Sequence, residues 1–483
     1  MKKVILALTL LVIILFLGRN LNPFSPQMFT FHDSTQPVRI QQFVKELKSF
    51  HFPPRVAPDM NYGFGYPVFN FYAPSSYWIT SIFNLIGFDV VSSLKLSFLL
   101  ALVVAFFGSY LFLKNYFEFI PSLLGGFLYI TSLYFPLNIF VRGNLAEIWF
   151  LSFFPLTLFF VYRNSQGFDN KIFVGSSVIL SILITSHNIL SLVSLPFILI
   201  FMMIIKNKRQ NFLAFGIALL LSTYFWLPVF TEMKFTWARE VASLTNYRDH
   251  FLCPEQLWQS SWGYGGSIKG CINDGMSFMI GKLQLTFFGL GVVMFLWKRF
   301  QNKIKKVILF MLVLTLLHIL LTLYQSQFLW ELLSPISSIV QFPWRLIGPP
   351  LLGMSFFSTY YFNNLKIPFR NMFMTIILVV LLIVNGKYFI GQQMTKKEFE
   401  NKFLSQIYTE KKAAYAVAEY LPKSIDYKYW RSLEKKEIIP LEFLTKTTIK
   451  PFNIKKQTSI ENIGNIISIF GIVLLWTISK RKR

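Results

Sequence analysis

The sequence predicts an all-α polytopic membrane protein with about twelve transmembrane helices, and three observations carry that reading. The 483-residue chain is 54% hydrophobic and 14% charged, where soluble domains carry about 25% charged residues. Its apolar residues fall in long runs, many approaching the roughly 20 residues needed to span a bilayer. Its basic residues sit between those runs, as the positive-inside rule places them. The net charge of +25 therefore has a topological cause and does not point to nucleic acid, since no exposed basic domain with a recognisable motif accompanies it.

The chain opens MKKVILALTLLVIILFLG, in which Lys2 and Lys3 precede an apolar run. No small-residue cleavage site follows, only Arg19, Asn20 and Leu21. An uncleaved first helix over 4–18, N-terminus inside, is expected. Hydropathy then predicts helices over 92–113, 119–140, 147–162, 172–187, 189–205, 211–230, 278–297, 306–324, 346–362, 371–390 and 462–478. Both termini then lie in the cytoplasm of a plasma-membrane protein. Expected inner connections carry runs such as Lys206, Lys208 and Arg209 or Lys298, Arg299 and Lys303, whereas short outer connections carry little beyond Arg142 and Arg345.

Three outer segments are long: 20–91, 231–277 and the Lys-rich 391–461. The expected division is a transmembrane domain over 1–390, a small basic extracytoplasmic segment over 391–461, and a last helix with a basic tail over 462–483. The basic segment meets anionic lipid or glycan phosphate, or is a solvated face. In 37–50, Ile40, Phe43, Val44 and Leu47 follow helical spacing while Lys45, Glu46 and Lys48 take the other side. That is an amphipathic helix suited to lie on the membrane surface. Tyr77 to Phe88 is too short to span and reads as a second interfacial helix. Cys253 and Cys271 share the second outer segment; outside the cytoplasm they are expected to form a disulfide, against the alternative of two free thiols.

The order of a first helix, an outer loop beginning with an acid, a surface helix, and then "PPR" and "FYAPSSYWI" resembles the GT-C superfamily of membrane glycosyltransferases. The stretches "HDSTQPVRIQQF", "GFGYPVFNFYAP", "RGNLAEIWF", "QLWQSSWGYGGS", "QFPWR" and "AEYLP" are similar to a bacterial membrane family named for a "6-pyruvoyl-tetrahydropterin synthase-related" domain. The GT-C resemblance implies a donor sugar on a polyprenyl phosphate and an acceptor in the cell envelope: a glycan, lipid or protein. It implies a hexosyltransferase, with mannose or a similar hexose moved, and it places the catalytic acid at Asp33. Many members carry two acids there. His32–Asp33 stands in their place, so a divalent metal bridged by two loop acids is unsupported, and the sequence requires no cofactor.

The residues fit that chemistry. A phosphate is a good leaving group, but an acceptor hydroxyl needs a base. Asp33 is the candidate, with inversion at the sugar; the alternative is an Asp capping the helix that starts near Pro37, or a solvated loop acid. Arg142 and Arg345, at predicted outer helix ends, suit the departing phosphate because guanidinium holds phosphate bidentately; the alternative is interfacial anchoring. His32 is a further phosphate candidate. Glu147, His187, Arg55, Tyr72 and Trp262 are candidate substrate contacts. Glu147 equally suits a plain ion pair with Arg142, His187 a structural hydrogen bond, and the aromatics an interface belt. Neither a P-loop nor a Rossmann fingerprint occurs, which fits a lipid-linked rather than nucleotide-linked donor. A lipid or glycan transporter would place charges in mid-membrane or break helices in matched halves; a non-catalytic assembly protein on the same scaffold is the other alternative.

Overall fold

The computed structural model describes residues 2–263, 265–271, 274–297, 304–332, 337, 339–413, 418–433 and 458–480. The longer helices are α1 (Lys2–Val12, continued by a π turn Ile13–Leu17), α2 (Gln36–Lys48), α3 (Pro74–Leu85), α4 (Val90–Lys114), α5 (Phe119–Ile130), α6 (Tyr134–Arg142), α7 (Leu145–Gln166), α8 (Asn170–Ile184), α9 (Asn188–Ile204), α10 (Lys208–Glu232), α11 (Lys282–Trp297), α12 (Lys305–Thr322), α13 (Pro350–Asn364), α14 (Arg370–Gly386) and α15 (Ser459–Lys480). Many start at capping residues that satisfy orphan backbone donors. Asp89, Asn144, Asp169 and His187 accept from the first turns of α4, α7, α8 and α9.

Every apolar segment expected from hydropathy contains a helix, but not every one of these helices is long enough by itself to span a bilayer. Among the described residues five helices are long and apolar enough to cross, or six if the bent pair α5–α6 is one span. The helices α8, α9, α11 and α14 are shorter. At 15 to 17 residues they reach about 22–26 Å, under the roughly 30 Å of hydrocarbon. The apolar runs were longer than the helices because their ends fold otherwise. Phe278 and Ile280 are buried coil before α11, Leu346 and Ile347 belong to a 3-10 turn before α13, and Phe389 lies buried beyond α14.

The segment between α1 and α4, expected as the first outer loop, is part of the core rather than a layer over it. The strand β1 (Gln27–Phe29) pairs antiparallel with β2 (Gln393–Thr395), Met28 facing Met394. In α2 the buried set is Gln36, Pro37, Val38, Arg39, Ile40, Gln42, Phe43, Val44 and Leu47. Phe43 packs edge-on against Phe69 and Trp78, so the apolar stripe read as a membrane-facing surface is taken up by protein. The helix α3 keeps Ile82 and Leu85 exposed, as an interfacial helix would. The described part of 391–461 also joins this core: Ser34 Oγ lies 2.8 Å from the Tyr408 hydroxyl, and Trp430 Nε1 donates to Asn61 Oδ1 at 2.7 Å. Its remaining residues, 414–417 and 434–457, lie outside the described residues, as do 481–483 of the expected basic tail. Cys253 and Cys271 are disulfide-bonded, their Cα atoms 6.0 Å apart.

Helix contacts are close where glycine permits it. A Cβ on Gly291 of α11 would stand 2.1 Å from the Phe357 carbonyl oxygen of α13, an atom that cannot move aside. Gly216 of α10 has open space around the same position. Gly291→Val is therefore expected to separate α11 from α13 and lower the thermal midpoint in detergent by many degrees. Gly216→Ala, which also gains helix propensity, is expected to leave it unchanged or raised. Equal midpoints for the two variants would contradict this packing.

Candidate functional site

The site is organised by a buried ion pair. The helix α6 ends in a π turn, Leu137–Arg142, and Gly143 turns the chain with φ +67°. Asn144 then caps α7, its Oδ1 accepting from Glu147 N at 3.0 Å. Arg142 and Glu147 are 4% and 0% exposed, and Arg142 Nη1 donates to Glu147 Oε2 at 2.7 Å. Asn138 Oδ1 also accepts from Arg142 Nη1, at 2.5 Å, and the Tyr134 hydroxyl donates to the other Glu147 oxygen. Both Glu147 oxygens are thus engaged by protein, so Glu147 is an internal partner here rather than a free substrate contact.

Asp33 is fastened to this frame through its backbone. His32 N donates to Val141 O at 3.0 Å and Asp33 N to Arg142 O at 2.8 Å. The Asp33 side chain does not cap α2: the capping position is Thr35, and Asp33 offers Gln36 only its backbone carbonyl, at 3.1 Å. The carboxylate instead accepts from or shares a proton with His32 Nδ1 at 2.9 Å, with 26% of the side chain exposed and 49% of the His32 side chain. Burial pushes the Asp33 carboxyl up, but the His32 hydrogen bond and the charges of Arg142 and Arg39 outweigh it and hold it below its ordinary 3.8.

Arg345 approaches from the 3-10 turn Pro343–Ile347. Its Nη1 reaches only Val340 O and Gln341 Oε1, both at a long 3.4 Å, and its Nε is buried without a partner. The neighbouring Trp344 ring lies 4.7 Å under the Arg142 guanidinium. Trp344 Nε1 donates to Ser267 Oγ at 3.1 Å, and His250 Nδ1 lies 2.7 Å from the same hydroxyl. The disulfide-bearing loop thereby reaches the site. His187 is buried, its Nδ1 accepting from Leu190 N at 3.2 Å, and it stands within electrostatic range of Glu147, Arg345 and Arg142.

Two members escaped the sequence reading. Arg39 of α2 is 3% exposed, with its guanidinium 5.1 Å above the Tyr72 ring and Nη1 3.3 Å from the Tyr77 hydroxyl. Its Nε has no partner. Its signal was present, since position 39 lies four residues before Phe43 and so on the apolar face of α2. Glu419, from the 3-10 turn Ala418–Tyr420, interacts with Arg39 and Arg345. Burial pushes its carboxyl above the ordinary 4.5, more than Arg39, Tyr420 and Arg345 pull it down. Among the described residues neither Arg39 nor Arg345 forms an ion pair.

Asp33, His32, Arg142, Glu147, Arg345, His187 and Tyr72 are therefore one neighbourhood, with Tyr72 in electrostatic range of Arg39, Asp33 and Arg345. Arg55 and Trp262 belong elsewhere. Arg55 donates to Asn70 Oδ1 at 2.6 Å, Tyr224 O at 2.7 Å and Asn465 Oδ1 at 2.7 Å, a staple that joins the first outer loop to α10 and α15. Trp262 packs on Tyr388, ring centroids 4.5 Å apart. Among the described residues no three His, Cys, Asp or Glu side chains are grouped to hold a metal.

No family model matches the chain, so the likeness to the bacterial family named above stays one of short stretches. An uncharacterized protein of Lactococcus lactis subsp. cremoris (strain MG1363) is 26% identical over 225 residues, 41% of this chain and 35% of that protein. The chain thus matches about a third of that relative's length. Among solved structures, the apo oligosaccharyltransferase of Archaeoglobus fulgidus superposes with a TM-score of 0.47 at 12% identity, over 97% of this chain and 64% of that one. ArnT from Cupriavidus metallidurans bound to undecaprenyl phosphate gives a TM-score of 0.41 at 11% identity, over 98% and 76%. At these identities and scores nothing about activity passes from those proteins to this chain.

The ion pair itself is testable. Removing one partner of a buried pair leaves an uncompensated charge and costs about 3–5 kcal/mol, whereas an apolar pair of similar volume is near neutral. Glu147→Ala is expected to lose about that much in unfolding measurements in mixed micelles, and Arg142→Met with Glu147→Leu to regain most of it. A cost below about 1 kcal/mol for the single variant would contradict the role given to the pair.

Proposed function

We propose that this protein is a membrane glycosyltransferase of the GT-C type that moves a sugar from a polyprenyl-phosphate donor to a hydroxyl of a cell-envelope acceptor. The observation that carries this reading is the convergence of one ionised carboxylate, Asp33, with three arginines: Arg39 of α2, Arg142 at the end of α6 and Arg345 of the 3-10 turn before α13. A buried cation without an ion-pair partner favours an anionic ligand; Arg39 is one, and Arg345, half-buried with its Nε unpartnered, is a second cation without an ion pair among the described residues. An amphiphilic phosphate satisfies both the cations and the lipid setting. Tyr72, stacked on Arg39, offers an aromatic face to a sugar.

In the reaction, the acceptor hydroxyl gives its proton to a base and its oxygen forms a bond to the anomeric carbon as the bond from that carbon to the phosphate oxygen breaks. The phosphate leaves with the electron pair, and Arg39 and Arg345 balance its charge. Positive charge develops on the sugar carbon meanwhile. Asp33, held ionised by His32 and Arg142, is suited to face that charge. The same depression makes it a weaker proton acceptor than an ordinary carboxylate, which favours this role over that of base. Hydrolysis of a nucleotide donor has no comparable support, since no phosphate-cradling loop is present.

The site is assigned to the extracytoplasmic side of the plasma membrane, with both termini in the cytoplasm. Lysine and arginine in the expected inner connections support this, as does a disulfide in the loop that reaches Trp344 through Ser267. Transport is less well supported. Most ionisable side chains with described partners sit at helix ends, such as Glu118–Arg370 on one side and Arg142–Glu147 on the other; His318 in α12 is a buried exception.

The test is sugar release from a panel of radiolabelled polyprenyl-phosphate hexoses by the purified protein in nanodiscs, with a membrane extract as acceptor. Wild type is expected to turn over one donor, and Asp33→Asn to lose at least about 100-fold while keeping its melting profile. Absence of turnover with every donor by correctly folded wild type would sink the reading.

A further inference from the structure

Glu419 lies in a segment that sequence reading treated as a basic surface, yet it is placed with care. The residues that follow Glu419 are clamped on two sides. Tyr420 N donates to the Tyr66 hydroxyl at 3.1 Å, and the Tyr420 ring packs against Tyr66 and Phe71 at 6.1 and 5.7 Å. On the other side Trp237 N donates to Leu421 O at 3.0 Å, Lys423 N donates to Phe235 O at 2.8 Å, and Pro422 bridges to Thr236. The turn is thus pinned between the first outer loop and the chain just beyond α10. This fixes the Glu419 carboxylate opposite Arg39 of α2 and Arg345 of the turn before α13.

Facing is not pairing. Among the described residues Glu419 makes no ion pair with either arginine, although both lack another carboxylate. A carboxylate whose purpose was to neutralise them would close to contact. Held apart from them, Glu419 is an acidic group within electrostatic range of two cations suited to a phosphate, Arg39 and Arg345. Asp33 approaches Arg39 and Arg142 from the α6–α7 frame. Its carboxylate is already committed to His32 and to the positive charge of Arg142.

We propose that Glu419 is the acceptor-side base of this site, taking the proton of the acceptor hydroxyl while Asp33 faces the sugar. The inference rests on the glycosyltransferase reading and refines it. As the acceptor oxygen bonds to the anomeric carbon, its proton passes to a Glu419 oxygen and the donor phosphate departs with its electron pair. The division follows a general pattern in which two carboxyl groups with environments of opposite effect take different roles. Asp33 is held below its ordinary value and stays charged; Glu419 is raised by burial and has the greater proton affinity.

The sign of the pH dependence follows. The groups facing Glu419 are Arg39 from α2, Arg345 from the turn before α13, Tyr66 from the first outer loop and Tyr420 from its own turn. The arginines pull the carboxyl down, but burial prevails, so it takes up a proton as pH falls while still above 4.5. A protonated Glu419 cannot accept the hydroxyl's proton. The rate should therefore decline on the acid side at pH values above 4.5.

The experiment uses the full chain in nanodiscs, the radiolabelled polyprenyl-phosphate hexose that wild type turns over, and the membrane extract as acceptor. Wild type, Glu419→Gln, Glu419→Asp and Asp33→Asn are compared, with melting curves to establish folding. Glu419→Gln is expected to lower kcat about 100-fold or more, within the usual range for a general base, with donor KM within about threefold. Glu419→Asp is expected to recover part of the rate and to move the acid limb of the pH–rate profile. If Glu419→Gln keeps the wild-type kcat while Asp33→Asn loses it, this assignment is overturned and the glycosyltransferase reading stands. A raised donor KM with an unmoved acid limb in Glu419→Asp makes Glu419 a counter-ion of the arginines and likewise overturns it. No transfer from any donor by folded wild type removes both.

Discussion

The buried pair of Arg142 and Glu147 is the constraint on which the rest of the site depends. Two charges without solvent are costly unless each remaining hydrogen-bonding position is filled. Here Asn138 shares Arg142 Nη1 with the glutamate and the Trp344 face lies under the guanidinium, while Tyr134 and Asn144 fill the glutamate oxygens. Satisfying those demands fixes the end of α6, the start of α7 and the turn that carries Arg345. The Arg142 carbonyl, directed outward by the same turn, receives Asp33 N. The Asp33 carboxylate is thus positioned by the backbone of the residue whose side chain forms the ion pair with Glu147.

Much of this was legible in the sequence. The apolar runs located the helices because burial and membrane insertion both select for them. Arg142, Glu147, Arg345 and His187 stood out because a charged or polar residue beside an apolar run is expensive and so demands a partner. Tyr72 was found only as one of many aromatics. What was hidden shares a cause: which distant segment covers which. Arg39 was missed because nothing local shows that the 66–77 segment folds over α2, giving the guanidinium tyrosines in place of water. Glu419 looked solvated, because nothing local shows that Tyr420 would insert against Tyr66, more than 350 residues earlier.

The misplacements have the same origin. Arg55 has the chemistry of a phosphate ligand, but its three hydrogen bonds go to Asn70, the Tyr224 carbonyl and Asn465, with Glu232 and Glu461 nearby. All of these but Asn70 belong to α10 and α15, whose contact runs along Gly464 and Gly471. Arg55 therefore ties the first outer loop to the last helix. Trp262 sits in the loop that touches the site, but through Ser267 rather than its own ring. Composition identifies what a residue is able to bind; only the packing of separate segments decides what it meets.

The break between α5 and α6 shows how the membrane setting and the site are reconciled. As one straight helix, 119–142 would be long enough to span, and its final arginine would project along the helix surface wherever the 3.6-residue period placed it. The chain instead bends by 43° after Ile130 and ends in a π turn over Leu137–Arg142. Such turns shift the register of every later side chain and recur at functional sites. Here the shift brings Asn138 and Arg142 onto one hydrogen bond and turns Arg142 inward to Glu147. Buried in protein, the irregular backbone finds partners: Leu133 N donates to Ile280 O at 2.9 Å, and Ser132 Oγ donates to the same carbonyl at 3.0 Å. Non-helical backbone at membrane depth is tolerated only with such partners. The coil before α11, which hydropathy had counted as helix, supplies them, and the shortening of one apolar segment is thereby the support for the bend in another.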